Sequence, residues 1–336
     1  MPRSHRQLPC SVPLFHDETL NSLIRRLAAA NYLSGEDLRA YLGIGRKTPV
    51  IEILEPLALA MGKPAPSLHL ALPEFMQVPL SSTPPDDPPG HFGRPLPGDL
   101  PRCLKRPACR RCVQAAGIRS EVICWSTHER NVCLRHYLWT GGECLRAEDQ
   151  VDVSILPGTA RAQRHHRNLI TRHGRRWVRN AFPDARSIFL HWIQELTADP
   201  FNIIARSSQH LLGQNGEPAP AETALAILFH PQIITLTGLM ASSCWERNTA
   251  QTSTILYLVE EVTYRDILLG YFPKDRTDPL VKWTDRYVSA HKFAASSGRW
   301  SVFSTLFPEE TVLPSPRAGA KRKRQTIRSG PLRYGP

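Results

Sequence analysis

Four residues whose side chains bind metal ions occur as two close pairs near the middle of the 336-residue chain. The first pair is Cys109 and Cys112, and twenty residues separate it from the second pair, Cys133 and His136. Each pair can come from one tight turn, and three thiolates with one imidazole fill the corners of a closed tetrahedral zinc site. The spacing therefore predicts one structural Zn²⁺ ion with no open position for catalysis. We call these four residues the Cys/His quartet.

Two other interpretations of this segment compete with the metal site. Cys103, Cys124 and Cys144 lie nearby, so the quartet could be four unrelated residues of a cysteine-rich stretch. Cys109 and Cys112 could instead form a redox pair, but the strand-before, helix-after context of such a motif is missing. The paired spacing favours the metal site.

The composition predicts a protein of a reducing compartment. No apolar run reaches the roughly 18 residues of a membrane helix, and Asp17 and Glu18 interrupt the region where a signal peptide would be apolar. Eight cysteines in a chain without an export signal indicate metal binding over disulfides. The expected location is the cytoplasm, in association with the nucleoid, and no membrane partner is expected.

The net charge of +12 is concentrated in two parts of the chain. Residues 102–179 have a local charge of +10, and residues 311–336 contain seven basic residues and no acidic one. Concentrated positive charge attracts polyanions, so this pattern predicts nucleic acid, most directly DNA, as a partner. The alternative is a basic surface that only keeps the protein in solution.

The densest basic run extends from Arg161 to Arg179, and as a helix it would carry cations on most of its circumference. Its histidines, His165, His166 and His173, have no partner at ligand spacing, which favours solvated or phosphate-facing side chains over metal ligands. A basic cluster in the tail would add non-specific affinity. The predicted nucleic-acid-binding residues are Arg164, Arg167, Arg172, Arg175, Arg176, Arg179, Lys321, Arg322, Lys323 and Arg324.

The predicted fold class is mainly α, and the composition divides the chain into five parts. Residues 79–101, with eight prolines and three glycines, are expected to be an extended linker. The other parts are a helix-turn-helix-like bundle (1–78), a zinc-finger module of the knuckle or ribbon type (102–150), a basic C-terminal helical domain (151–310) and a disordered basic tail (311–336). The bundle could serve DNA reading or protein docking equally well.

Capping and periodicity predict the element boundaries. Asp17 occupies the expected N-cap of the first helix, and Arg25 and Arg26 lie off its apolar face. Ser34 opens a second helix with a capping box, and Pro56 is expected to kink or restart the third. A β-strand is predicted within residues 121–127, and C-terminal helices within residues 187–197, 221–241 and 255–269.

No enzyme signature is present. Residues 43–48 resemble a phosphate-binding loop only superficially, because the glycine before the lysine and the four-residue spacing are both missing. There is neither a nucleophile elbow nor an H-E-x-x-H motif. Scattered carboxylates of a two-metal nuclease are the one enzyme class that the pattern leaves open. The expected protein is an adaptor and not an enzyme.

Two stretches together resemble the TniQ family. In the first, Glu18-Thr-Leu-Asn-Ser22 runs into Arg26-Leu-Ala-Ala-Ala-Asn31 and closes at Leu42-Gly43, which is similar to the family's opening helices. The second is the Cys/His quartet, which is similar to the family's zinc knuckle ligand for ligand. Some members carry a second cysteine cluster after the knuckle, where this chain has only Cys144. No motif of the C-terminal half matches.

The resemblance implies a role in DNA transposition. TniQ-like proteins select or mark the target site and connect it to an AAA+ ATPase regulator, which licenses the transposase. Relatives include the target-site-binding TnsD proteins and TniQ subunits that couple CRISPR guide complexes to transposons. The resemblance also implies a homodimer through the N-terminal helices. The alternatives are a stand-alone zinc-containing transcriptional regulator that binds DNA, and a nuclease.

Overall fold

The computed structural model describes residues 6–45, 47–76, 103–196, 211–213, 216–242 and 277–287, and within them the chain is mainly helical. The predicted linker and basic tail lie outside the described residues. So do the predicted helix at 255–269 and the cluster Lys321–Arg324.

The N-terminal helices form one bundle. They are α1 (Leu20–Ala30), α2 (Gly35–Tyr41), α3 (Val50–Met61), α4 (Ala65–Ala71) and α5 (Pro73–Met76). Their common core includes Leu23, Leu27 and Leu57, none of which has any exposed surface. The capping box at Ser34 is confirmed, because its hydroxyl accepts from the Asp37 amide. The third helix continues through Pro56, so the proline does not start a new one.

Two predictions about the first helix are wrong. Its N-cap is Thr19, whose hydroxyl accepts from the Ser22 amide at 3.1 Å, whereas Asp17 precedes the helix with a left-handed φ of 65°. Arg26 is buried and not on the outer face. The reason is Glu18, whose two carboxylate oxygens accept from the Arg26 guanidinium at 2.7 and 2.8 Å.

The middle of the chain is small and strand-containing. Strand β1 (Leu104–Pro107) pairs antiparallel with β2 (Ile123–Ser126), and α6 (Arg110–Ala115) lies between them in sequence. Two short strands follow, β3 (Val132–Cys133) and β4 (Leu138–Trp139), with 3₁₀ turns at His128–Arg130 and Ala147–Asp149. The strand predicted within residues 121–127 is therefore confirmed.

The segment before α1 joins the bundle to this middle part. The Trp125 amide donates to the Asp17 carbonyl, and the Thr19 amide donates to the Ile123 carbonyl, both at 2.8 Å. The buried Asp17 carboxylate also pairs with Arg130 at 2.6 Å. The left-handed Asp17 thus turns the chain so that the backbone around Glu18 pairs antiparallel with β2.

Long helices make up the C-terminal part: α7 (Pro157–His173), α8 (Arg175–Leu196), α9 (Ala221–Leu228), α10 (His230–Met240) and helical turns at 279–287, which we label α11. Their core includes Phe189, Trp192 and Ile234. The prediction of one helix over 221–241 is wrong, because the chain bends by 57° at Phe229. No single helix in the described ranges is long and apolar enough to cross a membrane, and this bent pair passes that test only when its two halves are combined.

The basic run at 161–179 is not one helix. Gly174, with a left-handed φ of 85°, ends α7, and α8 begins at the next residue. Arg175, the first residue of α8, is buried, whereas Arg164, Arg167 and Arg172 of α7 are exposed, so the cations of the run do not share one surface. The middle part also packs on the C-terminal helices, because Val132, Trp139 and Ile227 belong to one apolar cluster.

Candidate metal centre and basic surface

The Cys/His quartet comes together in space. Its four ligand atoms lie within 4.8 Å of one another. The Nδ1 atom of His136 is 3.2 Å from the Cys112 sulfur, 3.5 Å from the Cys109 sulfur and 3.8 Å from the Cys133 sulfur. A tetrahedral zinc ion with bonds of about 2.3 Å to sulfur and about 2.0 Å to nitrogen separates its ligands by about 3.5–3.8 Å. The quartet could therefore hold a metal ion, and its geometry is compatible with zinc.

Two different local structures present the two pairs. Cys109 is the N-cap of α6, so Cys112 lies one helical turn later and faces the same point. The expectation that no strand precedes and no helix follows this pair is wrong, because β1 ends at Pro107 and α6 begins at Arg110; the nearness of Cys133 and His136 is what favours a metal site over a redox pair. Cys133 ends β3, and its carbonyl accepts from the amides of His136 at 3.2 Å and Tyr137 at 2.7 Å. Tyr137 has a left-handed φ of 53°, which closes this tight turn.

Side chains around the quartet fix these turns. The buried Gln150 accepts from the Arg110 amide at 2.9 Å and donates to the Ala108 carbonyl at 2.9 Å. Arg111 donates to the His136 carbonyl at 3.0 Å and pairs with Asp152 at 2.8 Å. Such outer contacts orient the ligands of a metal site. The two arginines beside Cys109 and Cys112 therefore support the turns.

The pKa values of the quartet's three thiols are shifted in different directions. The pKa of Cys133 is lowered because the thiols of Cys109 and Cys112 donate hydrogen bonds to its sulfur. The pKa of Cys112 is raised, first by its hydrogen bond with Cys109. Of the three thiols, Cys133 is therefore the one most inclined to the thiolate, which is the form that binds metal.

Neighbouring cysteines do not join the quartet within the described part of the chain. The Cys124 sulfur approaches the His16 carbonyl, and the Cys144 sulfur approaches the carbonyls of Trp139 and Asp149. Burial raises the pKa of Cys144 to about 12, and it raises that of Cys124 well above its usual value. Both side chains are buried, which favours a structural role for each.

One face of α7 is basic and exposed. Helix positions advance by about 100° per residue, which places the buried positions on one arc and the exposed ones on the opposite arc. The inner arc contains Gln163, His166 and Leu169. The exposed basic positions are Arg161, Arg164, His165, Arg167 and Arg172. The prediction of cations around most of the helix is therefore wrong, because half of the circumference packs on the core.

This basic face adjoins the quartet. The Arg164 guanidinium donates to the Tyr137 hydroxyl at 3.5 Å. Arg167 and Arg135 both line a cleft of about 590 Å³, whose walls also include Cys109, Cys112 and Cys133. Trp125 lines the same cleft, with the Lys105 ammonium 4.7 Å from its ring centre.

The predicted nucleic-acid-binding residues differ in how exposed their side chains are. Arg164, Arg167 and Arg172 are exposed, and Arg179 is half-buried. Arg175 is buried, and its Nε donates to both oxygens of Glu129 at 2.8 and 3.0 Å. A phosphate cannot reach this guanidinium, which corrects the prediction for Arg175. The Arg176 side chain and the Lys321–Arg324 cluster lie outside what the structure describes.

The prediction that the His166 side chain is solvated or faces phosphate is also wrong. This residue is fully buried, with its ring stacked on Phe182 at 5.4 Å and near His128 at 5.2 Å. Burial lowers its pKa well below the usual value. The spacing of His166 from Leu169 and Ile170 places it on the apolar stripe of α7, and that signal could have located it.

Sequence reasoning missed the buried Glu129. Its carboxylate holds Arg175, and its carbonyl accepts from the Gln163 side chain at 2.6 Å. Gln163 also accepts from the Val132 amide at 3.0 Å, one residue before the quartet's Cys133. These contacts fix α7 against the turn that carries Cys133 and His136. An isolated acidic residue in a basic stretch was the available signal.

Comparison of the chain with known protein families, with curated proteins and with solved structures finds no match. The quartet, the basic face beside it and the sequence motifs are therefore the features that bear on function.

Proposed function

We propose that this protein is a non-enzymatic accessory factor of DNA transposition, similar to TniQ proteins. In this role it binds DNA or a DNA-bound target complex and recruits an AAA+ regulator to the insertion site. The observation that carries the proposal is the contact between Arg164, on the basic face of α7, and Tyr137, the residue directly after the quartet's His136. The sequence resemblance supplies the biological context.

Zinc is the metal proposed for the quartet. Three sulfur ligands and one imidazole are a structural zinc set, and they leave no coordination position for a substrate. A small segment such as residues 103–153 buries little apolar surface by itself, so metal binding stabilises its fold. The bound ion would fix the turn that carries Arg135 and Tyr137 beside α7.

DNA backbone is the proposed ligand of the basic face. From Arg161 to Arg172 the helix rises by about 16 Å, which is roughly the rise of five base-pair steps. Arginines along such a length can contact successive phosphates, with Arg135 extending the same surface across the cleft. These contacts give affinity and orientation, whereas sequence reading needs groups that reach base edges.

The N-terminal bundle is the proposed docking unit for the AAA+ regulator. Its surface exposes large apolar side chains, including Tyr32, Leu59 and Leu70. Exposed apolar side chains favour protein contacts over contacts with a phosphate backbone. The proposed homodimer would use the same bundle.

A pull-down from the host, with nuclease treatment and mass spectrometry, tests this function. The proposal predicts recovery of an AAA+ ATPase, and loss of that ATPase when Leu59 and Leu70 are changed to serine. The same two changes leave DNA affinity unaltered. The basic face would equally serve a stand-alone transcriptional regulator, the second candidate. If no ATPase were recovered and the protein occupied a fixed operator, the transcriptional regulator would be favoured.

A further inference from the structure

The cleft beside the quartet is much larger than a metal ion needs. Its volume of about 590 Å³ lies within the range of about 300–1,000 Å³ that pockets for small organic ligands have. Three parts of the chain form its wall: the segment before α1, the β1–β2 hairpin together with the turns that carry the quartet, and α7. We call it the Trp125 cleft, after an aromatic side chain in this wall.

Apolar and aromatic side chains form one part of the wall. Phe15, Pro107, Trp125 and Leu134 line the cleft, and all of them except the buried Pro107 are partly exposed. Trp125 lies opposite Lys105 in the β1–β2 register, and the ammonium of this lysine is 4.7 Å from the centre of the Trp125 ring. Lys105 does not itself line the cleft, so it contacts the ring without filling the space. A partly exposed aromatic ring in a cleft is a surface on which another flat ring can stack.

Cations lie where the cleft opens to solvent. Arg135 and Arg167 line it and are exposed, one from the turn that carries Cys133 and His136 and the other from α7. Burial lowers the pKa of Arg167, and the charges of Arg130 and Arg164 lower it further, because these guanidinium groups lie close together. An anion placed at such a cluster is favoured, since it reduces the repulsion between the cations.

The buried part of the wall does not suit an anion. The Asp17 carboxylate lines it and pairs with Arg130 at 2.6 Å, so the charge of this arginine is compensated within the protein. The quartet's three cysteines also line the cleft, and their sulfurs would be thiolates when they bind a metal ion. An occupant that matches the whole cleft is therefore flat and uncharged inside and anionic at the opening. A nucleotide has this distribution of charge.

We propose that the Trp125 cleft binds one unpaired nucleotide of the DNA that lies on the basic face of α7. The base stacks on Trp125 among the apolar side chains, and its phosphates pair with Arg135 and Arg167 at the opening. This inference rests on the proposed function, because α7 brings the DNA strand to the cleft. It adds a preference of the protein for DNA that is locally unpaired, since an intact duplex keeps its bases inside its own stack and offers the protein only its backbone here.

Fluorescence anisotropy with the full-length, metal-loaded chain tests the site on three DNAs of the same sequence. The first is an intact duplex, the second carries one extrahelical adenine nucleotide, and the third carries one extrahelical abasic residue. The last two have the same extra backbone unit, so only the base differs between them. We expect the adenine bulge to bind about tenfold more tightly than the abasic bulge, because stacking of one base on an aromatic side chain contributes a factor of this size.

The three DNAs separate this inference from the proposed function. Equal affinity for the adenine and abasic bulges would overturn the cleft proposal, while affinity for the intact duplex would still support binding of the DNA backbone by α7. Absence of binding to all three DNAs would overturn both.

Substitutions of Trp125 locate the effect in the cleft. Trp125→Ala should reduce the preference for adenine over the abasic bulge to less than about twofold, whereas Trp125→Phe keeps an aromatic face and should retain most of it. Leu145→Ala removes an exposed apolar side chain outside the cleft and should leave the preference unchanged. Equal metal content and equal affinity for the intact duplex show that a variant is folded. An undiminished preference in folded Trp125→Ala would overturn the proposal, and the comparison of the two bulges decides it on the unaltered chain if that variant does not fold.

Discussion

Arg164 of α7 donates a hydrogen bond to the hydroxyl of Tyr137, the residue directly after the last ligand of the Cys/His quartet. This contact joins the basic exposed face of α7 to the turn that carries Cys133 and His136. Glu129 and Gln163 fix the same two elements from the buried side. The position of the basic face therefore depends on the fold around the quartet.

Loss of one quartet thiol should abolish metal binding. Cys112→Ser removes one of four ligands, and the turns that carry Cys109 and Cys133 lose their common anchor, so residues 103–153 should open. Structural zinc contributes roughly 10 kcal/mol or more to the folding of small zinc modules at neutral pH. Metal content by mass spectrometry and unfolding by urea measure both effects. The control is Cys103→Ser, a nearby thiol outside the quartet; equal metal content in both variants would contradict the assignment.

Arg26 and Arg25 should differ strongly in their effect on stability, although they are neighbours in sequence. Arg26→Ala leaves the Glu18 carboxylate buried without its partner, and breaking such a pair costs about 3–5 kcal/mol of unfolding free energy. Arg25 is exposed, so Arg25→Ala should change that free energy by about 0.5 kcal/mol or less. Urea denaturation followed by circular dichroism compares the two. Similar small effects would show that the Glu18–Arg26 pair is not formed.

Stability should fall as the pH is lowered below about 6.5. Burial lowers the pKa of His128 and of His230 to about 3 and also lowers that of His166. Between these values and the ordinary histidine pKa, the unfolded chain binds protons that the folded chain does not, so acid favours unfolding.

One variant isolates this effect. His166→Leu removes one such histidine, and the slope of unfolding free energy against pH should decrease by up to about 1.4 kcal/mol per pH unit below pH 6. His165→Gln, at an exposed neighbouring position, should leave the slope unchanged. Urea titrations at pH 7 and pH 5 give the slopes, and an unchanged slope for His166→Leu would contradict the buried neutral imidazole.

The quartet and most helices could be predicted because their signals are local. Ligand spacing, the capping box at Ser34 and apolar periodicity each act within a few turns of chain. The buried ion pairs could not be predicted in the same way. Asp17 and Arg130 are 113 residues apart, and Glu129 and Arg175 are 46 apart. Charge alone did not indicate that Arg175 is buried while Arg172, three residues earlier, is exposed.

Gly174 explains why the basic run at residues 161–179 forms two helices and not one. Residues 161–179 have partial helical periodicity, and a single glycine does not necessarily end a helix. Here the left-handed conformation of Gly174 lets Val178 and Leu169 enter the same core. Tertiary packing therefore decides where the basic run is divided.

The central claim is that the outer face of α7, beside the quartet, binds a nucleic-acid backbone. Its most direct test is DNA affinity by fluorescence anisotropy at several salt concentrations. Changing Arg164, Arg167 and Arg172 to alanine should reduce the slope of log K against log salt by about 2.7, since each phosphate contact contributes about 0.9. The control changes Arg25, Arg119 and Arg146, three exposed arginines elsewhere, and removes the same charge. An unchanged slope for the α7 variant, or an equal reduction in both variants, would contradict the claim.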